Sequence, residues 1–125
     1  MTTDQRGLIL LAHGARDPAW ARPFEEVAQR VREGNPALQV RNAYLEFMAP
    51  NLVDAGRELA EAGCGTVEVL PVFLGAGGHV RKDVPQQLAT LMERHAQVTW
   101  QLRPAVGESP LLVAALAQIA LEPAP

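Results

Sequence analysis

The sequence predicts an α/β protein: one three-layer domain over residues 1–125, with a mostly parallel four-stranded sheet, helices on both faces and a tail from about residue 122. Three observations carry this. A continuous apolar run, Leu8 to Ala12, has the character of a central strand buried on both faces. Three further strand-like segments follow, each separated from the last by an apolar stripe of helical period. Cap and turn residues stand where each helix would begin or end. The order βαβαβαβα implies parallel strands joined by right-handed crossovers, which place helices on both sides of the sheet.

The first strand ends at His13-Gly14. Asp17-Pro18 then supplies an N-cap followed by proline, and Phe24, Val27, Ala28 and Val31 recur at helical spacing until Gly34-Asn35-Pro36 stops the helix. Leu38 to Leu45 alternates as a strand with one less buried face, ending at Glu46. The second helix begins near Pro50, carries Leu52, Gly56, Leu59 and Ala60 on one face and stops at Gly63. Thr66 to Leu70 is the third strand, followed by the glycine-rich loop from Pro71 to His79. Asp83 with Gln86 three residues later resembles a capping box, so the third helix is expected to start there, present Val84, Leu88, Leu91 and Met92, and fade near His95. Val98 to Leu102 is a short fourth strand. Ser109-Pro110 caps a last helix bearing Leu112, Ala115, Leu116 and Ile119, and Pro123-Ala124-Pro125 cannot continue it.

The chain's 125 residues are 48% hydrophobic and 20% charged, which excludes a disordered chain and predicts a packed core. A net charge of −3 argues against a nucleic-acid partner, which requires a basic face. The single cysteine, Cys64, lies between Gly63 and Gly65; it has no partner for an internal disulfide and is expected to be structural. The apolar run at Leu8 to Ala12 is too short for a signal-peptide core or a membrane span, so a cytoplasmic protein without a membrane partner is expected.

Three residues that carry chemistry follow predicted strands: His13 after the first, Glu46 after the second and His79 in the loop after the third. Ligands of such sheets bind outside the carboxyl ends of the strands, where the fold gathers these residues. Two neutral imidazoles with a carboxylate suit divalent cobalt, iron, nickel or zinc and leave positions open for a substrate. On spacing alone each also has an ordinary reading: a strand-end histidine bonded to backbone, a loop histidine, a capping or solvated carboxylate. Gly75, Gly77 and Gly78 let backbone approach a ligand, or serve a tight turn. Neither the dinucleotide fingerprint nor the P-loop is present, so no nucleotide cofactor is indicated. Arg16, Arg81 and Lys82 would set basic charge beside the histidines for a substrate's carboxylates, or stand as solvated helix-start charge.

The segments Leu11-Ala12-His13-Gly14-Ala15-Arg16, Tyr44-Leu45-Glu46-Phe47 with Pro50, and Pro71 through Pro85 resemble the small sirohydrochlorin cobaltochelatases and ferrochelatases, the short class II chelatases of the CbiX type. The likeness runs over nearly the whole chain. It implies ATP-independent insertion of cobalt or iron, or nickel as in archaeal relatives, into sirohydrochlorin for cobalamin or sirohaem synthesis, with no organic cofactor. It also implies that His13 and His79 bind the incoming metal. The early segment departs from the family's more frequent His-Gly-Ser-Arg at Ala15, which removes any contact made by that hydroxyl. Since a tetrapyrrole is wide relative to the edge of four strands, a homodimer enclosing the substrate is expected. Two competing readings are a metal or tetrapyrrole carrier without catalysis, and a flavodoxin-like anion-binding domain.

Overall fold

The structure, a computed structural model, describes residues 5–75 and 77–125, with the side chains of residues 78 and 79 outside that description. Its elements are β1 (Arg6–Ala12), a 3₁₀ turn (Pro18–Ala21) leading into α1 (Arg22–Gly34), β2 (Gln39–Tyr44), α2 (Leu52–Glu61), β3 (Thr66–Pro71), α3 (Gly78–Arg94), β4 (Thr99–Leu102), a 3₁₀ turn (Val106–Glu108) and α4 (Pro110–Leu121). The strands lie in the order β2-β1-β3-β4 and every neighbouring pair is parallel. Leu10 of β1 stands between Asn42 of β2 and Leu70 of β3, and residues 7–12 of this central strand are all buried. The continuous apolar run of the sequence thus occupies the position where both faces are covered.

Local chemistry sets the helix starts. The Asp17 carboxylate accepts from the Ala19 N–H at 2.9 Å and Pro18 opens the 3₁₀ turn, as the Asp-Pro signal predicts. Asn51 accepts from the Asp54 N–H at 2.8 Å at the start of α2, and Ser109 accepts from the Leu111 N–H at 3.2 Å at the start of α4. The third helix corrects the capping-box expectation. It starts at Gly78, capped by Gly77, with the Arg81 N–H donating to the Gly77 carbonyl at 3.0 Å, so Asp83 lies inside the helix and not at its start. Pro85 falls in the second turn, where it has no N–H to donate to the Arg81 carbonyl. His79 is accordingly a first-turn helical residue and not a loop residue.

One face of the sheet is closed. Ile9, Leu11, Val67 and Val69 meet Leu52, Ala55 and Leu59 of α2 and Val84, Leu88 and Leu91 of α3, with Trp100 of β4 beneath them. Each of the buried Val, Leu and Ile side chains contributes about 1.5–3 kcal/mol through burial. Gly56 lets the two helices meet: a Cβ there would lie 2.7 Å from both methyl carbons of Leu91. The Trp100 indole N–H donates to the His95 carbonyl at 3.2 Å. Cys64 is buried in this layer, and burial pushes its thiol pKa up, as a structural cysteine requires.

The opposite face is covered by α1, through Ala28 and Val31 on Leu8, Leu10 and Val40, and by the 3₁₀ turn before it, through Trp20 and Ala21 on Ala12 and Tyr44. Helix α4 contributes no buried residue. Of the stripe expected on it, only Leu112 is half-buried, and Leu116 and Ile119 are exposed. Among the described residues, no helix is long and apolar enough to cross a membrane.

Candidate active site

From its carboxyl end β1 leads to α1 on one face, while β3 leads to α3 on the other. Adjacent strands whose helices depart to opposite sides leave a crevice at their carboxyl ends, the switch point where ligands of open α/β sheets bind. His13 and His79, the residues beyond β1 and β3, flank it along the chain.

His13 is half-buried, and its ring packs on that of buried Phe73, with centroids 4.7 Å apart and planes tilted by 39°. Hydrogen bonding continues past the strands: the Leu45 N–H donates to the Ala12 carbonyl and the Glu46 N–H to the His13 carbonyl, both at 3.0 Å. Glu46 is therefore fixed next to His13 through the backbone, with its exposed carboxylate left to act outward. Gly14 makes this approach possible. Its φ of +94° suits glycine, and a Cβ would lie 1.9 Å from the Glu46 carbonyl oxygen. The turn continues through Phe47, which holds φ of +68°, a region that costs a bulky residue on the order of 1–2 kcal/mol. The Phe47 ring is 56% exposed, and the Arg16 guanidinium lies over it, 4.6 Å from its centroid. Arg16 is thereby placed beside the Glu46 turn.

Beyond β3, the Val72 N–H donates to the Leu11 carbonyl at 2.8 Å and delivers Phe73 to His13. Gly107 backs this loop: its N–H donates to the Phe73 carbonyl at 3.4 Å, and a Cβ on it would lie 1.7 Å from the Leu74 oxygen. Gly75 and Gly77 adopt no left-handed φ, and among the described residues a Cβ on either would meet nothing within 4 Å, so neither packing against those residues nor a tight turn requires glycine there. A cavity of about 550 Å³ opens at this edge, lined by Phe73, Leu74, Gly75, Arg81, Arg103 and Glu108 among others. Phe73 is thus shared between the cavity wall and the His13 stack.

The structure brings together His13, Glu46 and Arg16 on one side, and Gly75 and Arg81 on the cavity side. Lys82 is exposed on α3 and is not among the residues lining that cavity. Gly78 and His79 open α3, and the His79 imidazole lies outside the described residues. Among the described residues no three His, Cys, Asp or Glu side chains gather as a metal cluster, and the expected set includes His79. Phe73, Phe47, Gly14, Gly107 and Arg103 were not singled out by sequence reasoning. Arg103 alone had a visible signal, as a basic residue just past the fourth strand; it ion-pairs with Glu68 at 3.6 Å.

The model of the CbiX family matches residues 7–122. Similar proteins include the sirohydrochlorin cobaltochelatases of Methanopyrus kandleri, 32% identical over 65% of this chain and 57% of its own length, and of Methanocaldococcus jannaschii, 32% identical over 70% of this chain and 62% of its own. The matched stretch is under two thirds of either relative. Among solved structures, a cobalamin-biosynthesis CbiX protein from Marinobacter aquaeolei VT8 superposes with a TM-score of 0.79 at 34% identity, covering 92% of this chain and 93% of that one. The sirohydrochlorin chelatase SirB of Bacillus subtilis subspecies spizizenii, solved in complex with cobalt, shares the fold at 0.79 and 17% identity, covering 91% of this chain and 49% of its own.

Proposed function

The chain belongs to the CbiX family, and from that premise we propose that it is a metallochelatase that inserts divalent cobalt, iron or nickel into sirohydrochlorin without ATP or an organic cofactor, in cobalamin or sirohaem synthesis. The observation that carries the reading is the pairing of His13 with Glu46 at the switch-point crevice, an imidazole ligand held one hydrogen bond along the backbone from a carboxylate. The sirohydrochlorin cobaltochelatase relatives support the substrate.

In this reading His13 and His79 hold the ion as substrate, with water in its remaining positions. Phe73 restricts the His13 ring by packing on it, which keeps the ligand nitrogen aimed at the crevice. As the metal enters the macrocycle its bonds to water and imidazole break, four bonds to pyrrole nitrogens form, and two pyrrole protons leave. Glu46 accepts one, a general-base role worth roughly 10²-fold or more, and an imidazole released from the metal accepts the other before both pass to water. The substrate's carboxylates are held by Arg16, Arg81 and Lys82 and by backbone at Gly75, Gly77 and Gly78, where the absence of a Cβ admits close approach. One edge of the macrocycle occupies the 550 Å³ cavity beside Phe73. Two copies pair to enclose the rest, and the protein works in the cytoplasm.

Anaerobic turnover followed by absorbance tests this, with sirohydrochlorin and Co²⁺, Fe²⁺ or Ni²⁺ and the spontaneous rate as control. Catalysis should be lost in His13→Ala and His79→Ala and fall roughly 10²-fold in Glu46→Gln. Stoichiometric binding without acceleration for every metal would make the protein a carrier instead. Normal turnover of Glu46→Gln across pH would remove Glu46 as proton acceptor.

A further inference from the structure

Phe47 stands where a smaller residue would be easier to hold. Its φ of +68° lies in the left-handed region, which glycine and asparagine enter readily and a bulky side chain does not. Burial does not account for the ring, which is 56% exposed. Backbone kept against its preference at an exposed position beside a site points to what the side chain does there.

The ring's work is visible at Arg16, whose guanidinium lies over it, 4.6 Å from the centroid. Arg6, Arg30, Arg41, Arg57 and Arg103 each pair with a carboxylate. Among the described residues Arg16 pairs with none, although Asp17 follows it and Glu46 precedes Phe47 in the chain. An aromatic face attracts a guanidinium without cancelling its charge or occupying its N–H donors. An exposed arginine with no such support samples many rotamers, all but one of which are lost when it grips a carboxylate. On Phe47 much of that freedom is given up before a substrate arrives. The ring is in turn tied to the metal ligand, because the Glu46 N–H donates to the His13 carbonyl at 3.0 Å one residue earlier.

We propose that Phe47 is a positioning residue for the substrate: its ring holds the Arg16 guanidinium beside the Glu46 turn, set to take one peripheral carboxylate of the tetrapyrrole. This rests on the reading of Arg16 as a carboxylate ligand given above. It adds a residue whose conformation the fold tolerates for the sake of binding and not of stability.

Titration with sirohydrochlorin in the absence of metal, followed by absorbance, tests the role, with turnover on Co²⁺ beside it. Arg16→Gln should weaken binding roughly tenfold or more. Phe47→Asn, which suits left-handed backbone and removes the aromatic face, should weaken it about two- to fivefold. KM should rise in step while kcat holds, and Tm should not fall. Phe47→Tyr and Phe47→Trp should keep the affinity, and Phe47→Leu should lose as much as Phe47→Asn. Combined with Arg16→Gln, Phe47→Asn should have no further effect.

An equal loss in the Arg16→Gln background would mean that the ring touches the macrocycle itself and overturns the proposal. Full affinity in Phe47→Leu overturns it too, since an apolar side chain would then suffice. A Tm lowered in Phe47→Asn and Phe47→Leu alike, with kcat falling alongside affinity, would make the ring a structural prop. If the unaltered chain does not bind sirohydrochlorin, the functional reading fails and this role with it, whereas binding indifferent to Phe47 overturns the role alone.

Discussion

The two faces of the sheet are finished to different degrees. Under α2 and α3, Leu52, Leu59, Leu91, Val67 and Val69 are wholly buried in one continuous cluster. Under α1, Leu8, Leu10 and Val40 are buried, but Val27 remains 45% exposed and the groove beside it stays open. The fold's stability is concentrated on the first face, while the second keeps apolar surface exposed. The contrast also orders the site: Phe73 and the start of α3 depart from the closed side, whereas the turn carrying His13 leads to α1 on the open side.

The largest effect that would sharpen this contrast is Leu91→Ala. It empties the contact between α3, Gly56 and Trp100 and should cost about 3–5 kcal/mol in urea unfolding. A loss under 1 kcal/mol would show that the closed face collapses around the gap and is not rigidly packed. Next comes Gly56→Ala, whose added methyl meets both Leu91 methyl carbons at 2.7 Å; overpacking there should cost about 1–3 kcal/mol. Leu112→Ala, on the open side, should cost less than about 1 kcal/mol when measured on dilute protein. A cost equal to that of Leu91→Ala would mean that α4 is packed on its own sheet, and the contrast between the faces would vanish.

The smallest expected effect is a pH slope. Burial raises the Cys64 thiol, and burial followed by the Glu25 carboxylate raises the Tyr44 hydroxyl. The folded state therefore favours the neutral forms, while the unfolded chain ionises first. Their contribution is complete below the unfolded pKa values and is lost as pH rises through the raised folded ones, so stability should decline above about pH 9. Tyr44→Phe should flatten the upper part of that decline and Cys64→Ala the lower part. Unchanged slopes in both would show that neither group is linked to folding.

Much of the framework was legible because its signals are local. The run Leu8 to Ala12 identified the central strand, Asp17-Pro18 and Ser109-Pro110 marked helix starts, and Gly34-Asn35-Pro36 marked an end, each acting within a turn of itself. The same locality explains the misplaced start of α3. Asp83, Pro85 and Gln86 have the form of a start signal, but the backbone had already entered the helix at Gly78, with Gly77 accepting from Arg81. At the site, the positions of His13 and Glu46 after successive strands were readable. The role of Phe73 against His13 was not, because the two residues are brought together only by parallel pairing of β1 with β3. Gly14 and Gly107 were unreadable for a related reason: each is required by a carbonyl from a distant loop, Glu46 in one case and Leu74 in the other.

By itself, then, the sequence determined the order and kind of the elements, the parallel sheet that their alternation demands, and the edge at which His13 and Glu46 would stand. Periodicity, caps and chain direction are set by neighbours along the backbone, so they can be read there. Only the tertiary structure decided which face would be sealed, which ring would press on His13 and where a glycine could not be replaced. Those outcomes depend on distances between segments far apart in the chain. For α4 the difference is sharpest: its apolar residues specify burial, while the fold leaves it standing off its own sheet with that surface uncovered.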